Sequence, residues 1–141
     1  MWPDNYETRL ADWHHLRTNL KDLPLEVAAH TVNDWWFRAP FVSHYLDYDN
    51  WKSWPTPWEL LADNDFCDIA RALGILYTIT MSEHTEVKNI SLVKTENDNL
   101  VLINNGKYML NWAPHKLLNI ESTNIAIQYQ IDGALLQQQL G

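Results

Sequence analysis

Apolar residues recur at helical spacing in three stretches of the chain. The spacing of three or four residues predicts one helix over residues 6–20 and a second that begins at Asp22 and ends before Ala39-Pro40. The strongest pattern follows Asp63-Asn64-Asp65, three residues that we expect to cap a third helix. The apolar stripe of this helix predicts four core side chains above all, which are Phe66, Leu73, Leu76 and Tyr77.

The pattern changes to alternation after Glu83, and this change predicts short β-strands. Asn104-Asn105-Gly106 predicts a hairpin, because an Asn-Gly pair readily adopts the positive φ angles of a tight turn. Residues 134–140 are polar and rich in glutamine, so we expect a frayed tail. The predicted strands cover residues 87–94, 100–103, 108–112 and 124–131.

Residues 41–58 separate the second and third helices and have no sustained period. Their prolines and an Asp-Asn pair predict a fixed loop with many aromatic side chains. Helices followed by strands predict an α+β fold, in which N-terminal helices and a central helix that bears the cysteine pack on a small antiparallel sheet. We expect a single domain over 1–141, with a helical and loop part (1–62), a helix-and-sheet part (63–133) and a tail (134–141).

Composition and charge exclude several classes of protein. The chain has 141 residues, 46% of them hydrophobic, with 4 glycines and a formal net charge of -8. This composition indicates an ordered globular chain. Because no cluster of lysine or arginine is present, we expect no direct nucleic-acid binding and no membrane binding. The single cysteine and the absence of an export signal indicate a reducing cytoplasm as the place of synthesis.

Cys67 is the residue with the most chemical interest. It falls in the first turn of the third predicted helix, where free backbone amides and the helix dipole stabilise a thiolate. Asp63, Asp65 and Asp68 surround it in sequence, and their charge opposes thiolate formation. Free cysteines are also among the residues most often buried in cores. These considerations favour a structural role for Cys67 over a catalytic one.

A nucleophilic thiol also needs an imidazole within hydrogen-bonding reach and a group that orients it. His84 lies at the far end of the same predicted helix, too distant from Cys67 to serve. An active enzyme would therefore use Cys67 with His115 and Asn111. Motifs that hold metals or phosphates are absent from the sequence, so we expect no metal and no cofactor.

Aromatic residues are concentrated between residues 35 and 58, in larger number than a small core readily encloses. We expect part of this cluster to form a binding surface, since Trp and Tyr beside prolines suit a protein interface or the stacking of sugar rings. The predicted binding residues are Trp35, Trp36, Phe41, Tyr45, Tyr48, Trp51, Trp54 and Trp58.

Two segments resemble the transglutaminase-like fold, in which a cysteine begins a central helix and the following strands carry a histidine and then an aspartate or asparagine. Residues 66–75, FCDIARALGI, resemble that helix, and residues 105–114, NGKYMLNWAP, resemble the strand of the acidic residue. The resemblance places Asn111 at the acidic position. Residues 98–103, the strand before the hairpin, contain no histidine. The resemblance therefore implies a degenerate core without a complete triad.

Two further phrases, VNDWWFRAP at residues 32–40 and WPTPWELL at residues 54–61, are similar to small structural proteins of tailed-bacteriophage virions. That similarity implies a baseplate or head-to-tail component, made in the host cytoplasm and located in the virion. Its partners would be other virion proteins.

Together these observations favour a non-catalytic structural protein of a tailed-phage particle that binds other virion proteins through its aromatic surface. They weigh against an enzyme. Two alternatives stay open, namely a cysteine-dependent acyl transferase or peptidase of transglutaminase-like type and a carbohydrate-binding module.

Overall fold

Five α-helices and five β-strands make up the part of the chain that the computed structural model describes, residues 2–42 and 46–137. The helices are α1 (Tyr6–Asn19), α2 (Leu25–Trp36), α3 (Pro57–Asp63), α4 (Asp68–Ser82) and α5 (Gly133–Gln137). The strands are β1 (Ile90–Lys94), β2 (Asn99–Ile103), β3 (Tyr108–Ala113), β4 (Lys116–Leu118) and β5 (Tyr129–Asp132). Short 3₁₀ helices lie at Leu20–Asp22, Tyr48–Ser53 and Ile120–Ser122. No helix in these ranges is long and apolar enough to cross a membrane.

The strands form one antiparallel sheet in the order β4-β3-β2-β1-β5. β1 lies between β2 and β5, so Leu92 is paired with Val101 on one side and with Ile131 on the other. Helix α4 packs against β1, β2 and β3. The predicted α+β fold, with helices on a small antiparallel sheet, is confirmed.

The hairpin between β2 and β3 forms at Asn104-Asn105-Gly106, as predicted. All three residues have positive φ angles, of 54°, 58° and 88° respectively, which asparagine and glycine tolerate best. The turn extends through Lys107 and is therefore longer than the two-residue turn that an Asn-Gly pair suggests. Of the strand predicted over residues 124–131, only the part from Tyr129 onward forms β5, which continues to Asp132.

Helix α3 lies partly in the segment that we predicted to be an irregular loop. Thr56 caps this helix: its hydroxyl accepts a hydrogen bond from the Glu59 backbone N–H at 3.3 Å. In return the Glu59 carboxylate accepts one from the Thr56 backbone N–H at 3.0 Å, and Pro57 occupies the first turn. The Thr-Pro-x-Glu pattern is a recognised signal for the start of a helix. The prediction of an irregular loop overlooked it.

Two predicted helix caps are wrong. Helix α2 begins after Pro24 rather than at Asp22, and the Glu86 carboxylate accepts the N–H of its first residue, Leu25, at 3.0 Å. Asp63-Asn64-Asp65 does not cap α4. Asn64 instead ends α3 with a φ of 58°, and Cys67 occupies the cap position of α4.

The predicted frayed tail is also wrong in part. Residues Gly133–Gln137 form α5, and Leu136 is fully buried in the core. Gly133 allows this helix to approach β1, since a Cβ atom there would lie 2.6 Å from the Ile90 side chain. Residues 138–141 lie outside the described part of the chain.

Helix α4 is the centre of the core. Eleven of its fifteen residues are buried, because it packs against the sheet and also contacts α1, α2 and α3. The four side chains predicted to face the core are all buried: Phe66, Leu73, Leu76 and Tyr77. A helix with this much buried surface is stabilised mainly by burial of its apolar side chains.

Tryptophan side chains fill the space between α4 and the helices around it. The indole N–H groups of Trp13 and Trp36 both donate to the Thr78 hydroxyl, at 2.8 and 2.9 Å. Gly74 lies one turn earlier, where a Cβ atom would come within 2.5 Å of the Trp36 ring. The absence of a side chain at Gly74 is therefore what lets Trp36 lie against α4.

The stripe on α4 gives a first testable expectation. We expect Leu73→Ala to lower the free energy of unfolding by about 2–5 kcal/mol, because Leu73 is fully buried and the surrounding helices and sheet cannot close the cavity. Val27→Ala on α2 is the control, since Val27 is 47% exposed. Urea denaturation of both variants measures the difference. Equal midpoints for the two variants would show that Leu73 does not support the core.

Candidate active site

Cys67 lies at the N-cap of α4, where the first-turn backbone amides of the helix are not bound within the helix. Its side chain is buried, with 4% of the residue's surface exposed. The backbone N–H of Leu46 donates to Cys67 Sγ at 3.4 Å. The thiol therefore lies at the positive end of the helix dipole and accepts one described backbone N–H, that of Leu46.

The carboxylate of Asp68, the next residue, joins α4 to the sheet. Its Oδ2 atom accepts from the backbone N–H of Asn99 at 2.7 Å and from the Asn99 side-chain amide at 3.3 Å. Its Oδ1 atom accepts from the Asn111 amide at 3.2 Å and from the Arg71 guanidinium at 3.4 Å. Both oxygens of this carboxylate are therefore engaged by donors.

Asn111 is the most heavily bonded side chain of the site. It is 2% exposed and lies on β3, in a stretch where the pairing with β4 is irregular, with a φ of 70°. Its amide N–H groups donate to the Asn99 carbonyl at 2.8 Å and to the Asp68 carbonyl at 3.1 Å, besides the Asp68 carboxylate. Asparagine tolerates positive φ better than most residues, which explains its presence in an otherwise apolar strand.

Two more residues complete the surroundings of Asn111. Arg71 Nε donates to Asn111 Oδ1 at 2.6 Å, and the Asn111 backbone N–H donates to Asn33 Oδ1 at 2.8 Å. The Arg71 guanidinium lies over the Phe37 ring, 3.9 Å from its centroid, and 5.6 Å from that of Phe41. Burial lowers the pKa of Arg71, and the charges of Asp68 and Cys67 oppose this shift.

Asn99 occupies the start of β2, the strand that carries a histidine in the fold that the sequence resembles. The Asn99 side chain donates to Asp68, and its Oδ1 atom is buried without a hydrogen-bond partner. The cluster of Asn99 with Asp68 and Arg71 was not predicted from the sequence. The sequence feature that could have indicated this cluster is Asn99 itself, a polar residue at the end of an otherwise apolar strand.

The negative charge of Asp68 also affects the carboxyl group of Asp98. Partial burial raises the pKa of Asp98, and the Asp68 carboxylate raises it further. A raised pKa in the folded state means that ionisation of Asp98 destabilises the fold. This cost is absent at a pH well below the unfolded value of about 3.9, and it is complete above the raised folded value.

We therefore expect Asp98→Asn to unfold at a higher temperature than the parent at neutral pH. The difference should vanish in acid, where the carboxyl group of the parent is protonated. Asp22→Asn, at an exposed position, controls for the general loss of one negative charge. Thermal unfolding followed by circular dichroism across the acid range measures both variants. A gain at Asp98→Asn that is independent of pH would contradict the assignment.

None of the described hydrogen bonds joins an imidazole to Cys67. His115 is held by Asp34, which accepts from the His115 backbone N–H at 2.8 Å and contacts its ring Nδ1 at 3.0 Å. The His115 side chain is 82% exposed. His84 contacts the Leu23 carbonyl through Nε2 at 2.7 Å. Of the conditional trio Cys67, His115 and Asn111, no two are joined by a described hydrogen bond, and Asn111 is linked to Cys67 only through Asp68, the next residue.

The predicted aromatic binding surface is reduced by the fold. Trp35, Trp36, Tyr48 and Trp54 are buried, because they fill the core around α4 and their polar atoms find protein partners. Burial also raises the pKa of Tyr48 to about 12. Phe41 and Trp58 are exposed and Trp51 is half-buried. Tyr45 lies outside the described residues. Phe41, Trp51 and Trp58 stay predicted binding residues, and so does Tyr45, which the described residues do not test.

A cavity of about 640 Å³ lies near the start of α4, and Cys67 itself is not among its lining residues. Its wall includes Leu46, whose N–H contacts Cys67 Sγ, and Ile69, two residues further along α4. Asp47, Asp49 and Lys94 also line it. The cavity is therefore a place where a polar ligand could lie next to the start of α4.

Comparisons with known proteins gave matches in structure alone. No family model matches the chain, and no curated protein matches its sequence. A solved structure of LapG from Legionella pneumophila matches with a TM-score of 0.70 and 15% identity, covering 92% of this chain and 77% of LapG. EGTA-treated and calcium-bound LapG match with TM-scores of 0.71 and 0.70, at 14% and 13% identity. These two also cover 92% of this chain, and 75% and 77% of LapG.

These matches correct the functional prediction. The shared fold supports the alternative, a cysteine-dependent acyl transferase or peptidase of transglutaminase-like type, against the expected non-catalytic phage assembly protein and against the expectation that the protein is not an enzyme. The virion, bacteriophage, tail and baseplate assignments have no support. The predicted likeness to the transglutaminase-like fold is right. The chain has the α+β architecture of LapG, with helices packed on a five-stranded antiparallel sheet, which is a transglutaminase-like fold.

Proposed function

We propose that this protein is a cysteine-dependent peptidase or acyl transferase whose nucleophile is Cys67. The single observation that carries the proposal is the position of this thiol, at the N-cap of the central helix of a fold shared with LapG. A thiol there receives a backbone N–H and lies at the positive end of the helix dipole. The same geometry activates nucleophilic cysteines generally.

The contacts of Asp68 remove much of the objection raised by the acidic residues around Cys67. The Asp68 carboxylate is bound by N–H groups of Asn99, Asn111 and Arg71, and the last of these is a cation. Its negative charge is therefore largely compensated within the site. Asp63 and Asp65 are exposed, where solvent screens their charges. The acidic residues next to Cys67 in sequence are therefore a weaker objection to the proposal than their proximity suggests.

The proposed reaction proceeds through a thioester. Cys67 Sγ attacks the carbonyl carbon of a peptide or other acyl donor, the bond to the leaving amine breaks, and the thiol proton departs with the amine. Water or an acceptor amine then attacks the thioester and returns the proton to Sγ. The cavity beside Leu46 would hold the acyl donor. Since no described imidazole contacts Sγ, we expect the rate to rise with pH as the thiolate fraction increases.

Alkylation kinetics test the proposal without knowledge of the substrate. The protein contains 1 cysteine, so iodoacetamide labelling followed by intact-mass spectrometry reports on Cys67 alone. We expect the native protein to react at neutral pH faster than the same protein unfolded in urea, because in the proposed site the sulfur lies at the start of α4 and accepts the Leu46 N–H. Cys67→Ser should show no labelling. Slower reaction of the native than of the unfolded protein would mark Cys67 as a buried structural residue and contradict the proposal.

A further inference from the structure

We infer that Arg71 is the resident cation of the Cys67 site and that this site is organised without a divalent metal. The inference concerns the same site as the proposed function and rests on it for its relevance to catalysis. The question arises because LapG has been solved in a calcium-bound and in an EGTA-treated form. At this site the residue after Cys67, Asp68, carries a carboxylate.

The residues around Cys67 do not fit a calcium ion. Calcium takes six to eight oxygen ligands, usually with several carboxylates among them. Within residues 2–42 and 46–137, no group of three or more His, Cys, Asp or Glu side chains could hold a metal. Asp63 and Asp65 are exposed, and Asp68 directs both of its oxygens at N–H donors. A cation would have to displace those donors to reach Asp68.

Arg71 already supplies a positive charge to two side-chain oxygens of this site, Asp68 Oδ1 and Asn111 Oδ1. Its Nη2 atom lies 3.4 Å from Asp68 Oδ1, and its Nε donates to Asn111 Oδ1 at 2.6 Å. The Phe37 ring covers the guanidinium at 3.9 Å, which fixes its plane and lowers its exposure to water. A divalent ion at the same two oxygens would be repelled by this fixed positive charge.

The arrangement makes Arg71 a positioning residue. It holds Asp68 on α4 and Asn111 on β3 together, and these two side chains set the distance between the start of the helix and the sheet. Arg71 touches neither Cys67 Sγ nor the cavity in any described contact. Its effect on Cys67 therefore passes through the position of Asp68 and through its charge.

Thermal unfolding of the full chain in calcium chloride or in EDTA tests the inference. We expect the same melting temperature in both solutions, for the parent and for Cys67→Ser, which lacks the nucleophile. Arg71→Met should melt several degrees lower in both solutions, because it retains an apolar side chain against Phe37 but removes the cationic partner of Asp68 and the donor to Asn111 Oδ1. Arg71→Lys should recover part of that loss, since it restores the charge but not the two-point contact.

The outcomes separate this inference from the proposed function. A parent melting temperature that rises in calcium and falls in EDTA would overturn the metal-independent assignment. An unchanged melting temperature in Arg71→Met would overturn the role of Arg71. The iodoacetamide rate at Cys67 should be equal in calcium and in EDTA and lower in Arg71→Met. If Cys67 proves unreactive while the melting results hold, the proposed function fails and the inference about Arg71 stands.

Discussion

Thr78→Val should lower the free energy of unfolding by about 2–6 kcal/mol, although the two side chains have nearly the same shape. The Thr78 hydroxyl is fully buried and accepts the indole N–H groups of Trp13 and Trp36. It donates in turn to the Gly74 carbonyl at 2.7 Å. Valine would leave two indole N–H groups in the core without an acceptor, and an unsatisfied buried donor costs about 1–3 kcal/mol. Urea denaturation followed by tryptophan fluorescence measures the change.

Thr78→Ser is the matched control. Serine retains the hydroxyl that both indoles need and loses one methyl group, so its cost should stay near about 1 kcal/mol. If Thr78→Val costs no more than Thr78→Ser, the shared acceptor contributes little to stability. A stable Thr78→Val would mean that water or another acceptor satisfies the two indoles.

Asn111→Leu should cost about 3–5 kcal/mol of folding free energy, because it combines two penalties. The amide of Asn111 binds Asp68, the Asn99 carbonyl and Arg71, so leucine would leave a carboxylate and a guanidinium without one of their partners. Leucine would also have to adopt a φ of 70°, which costs a residue with a Cβ atom about 1–2 kcal/mol. Chemical denaturation gives the total.

Asn111→Gly separates the two penalties. Glycine adopts positive φ freely, so the variant loses the amide contacts alone and should be more stable than Asn111→Leu. We also expect both variants to slow the alkylation of Cys67, since Asn111 helps to hold the first turn of α4 against the sheet. Equal stabilities for the two variants would show that the backbone conformation at position 111 is not strained. An unchanged rate of Cys67 alkylation in both variants would show that Asn111 does not influence the site.

Local patterns in the sequence predicted the parts of the fold that local interactions determine. The stripe on α4 identified Leu73 and Leu76 as core residues, because one helix face meets both the sheet and other helices. The Asn104-Asn105-Gly106 hairpin was equally accessible, since its positive φ angles depend on the residues of the turn themselves. The α+β fold followed from the order of these elements.

The candidate site could not be predicted in the same way, because its contacts join distant segments. Asn111 bonds to Asn33, Asp68 and Asn99, and no period or short motif links these positions. Sequence distance placed Asp68 beside Cys67 as an opposing charge, whereas the fold surrounds its carboxylate with donors. The aromatic cluster misled for a related reason. Because the core lies between several helices, it encloses more tryptophan side chains than the length of the chain suggests. Trp36 and Trp54 are therefore buried.

The proposed role of Cys67 is tested most directly by trapping an acyl group on its sulfur. Mixing the protein with p-nitrophenyl acetate, quenching in acid and measuring the intact mass should show one acetyl group per chain, which peptide mapping assigns to Cys67. Nitrophenol should appear in a burst of matching amplitude, and Cys67→Ser should show neither signal. Acetylation that reaches the same level in Cys67→Ser, on other side chains, would contradict the account of Cys67 as the nucleophile.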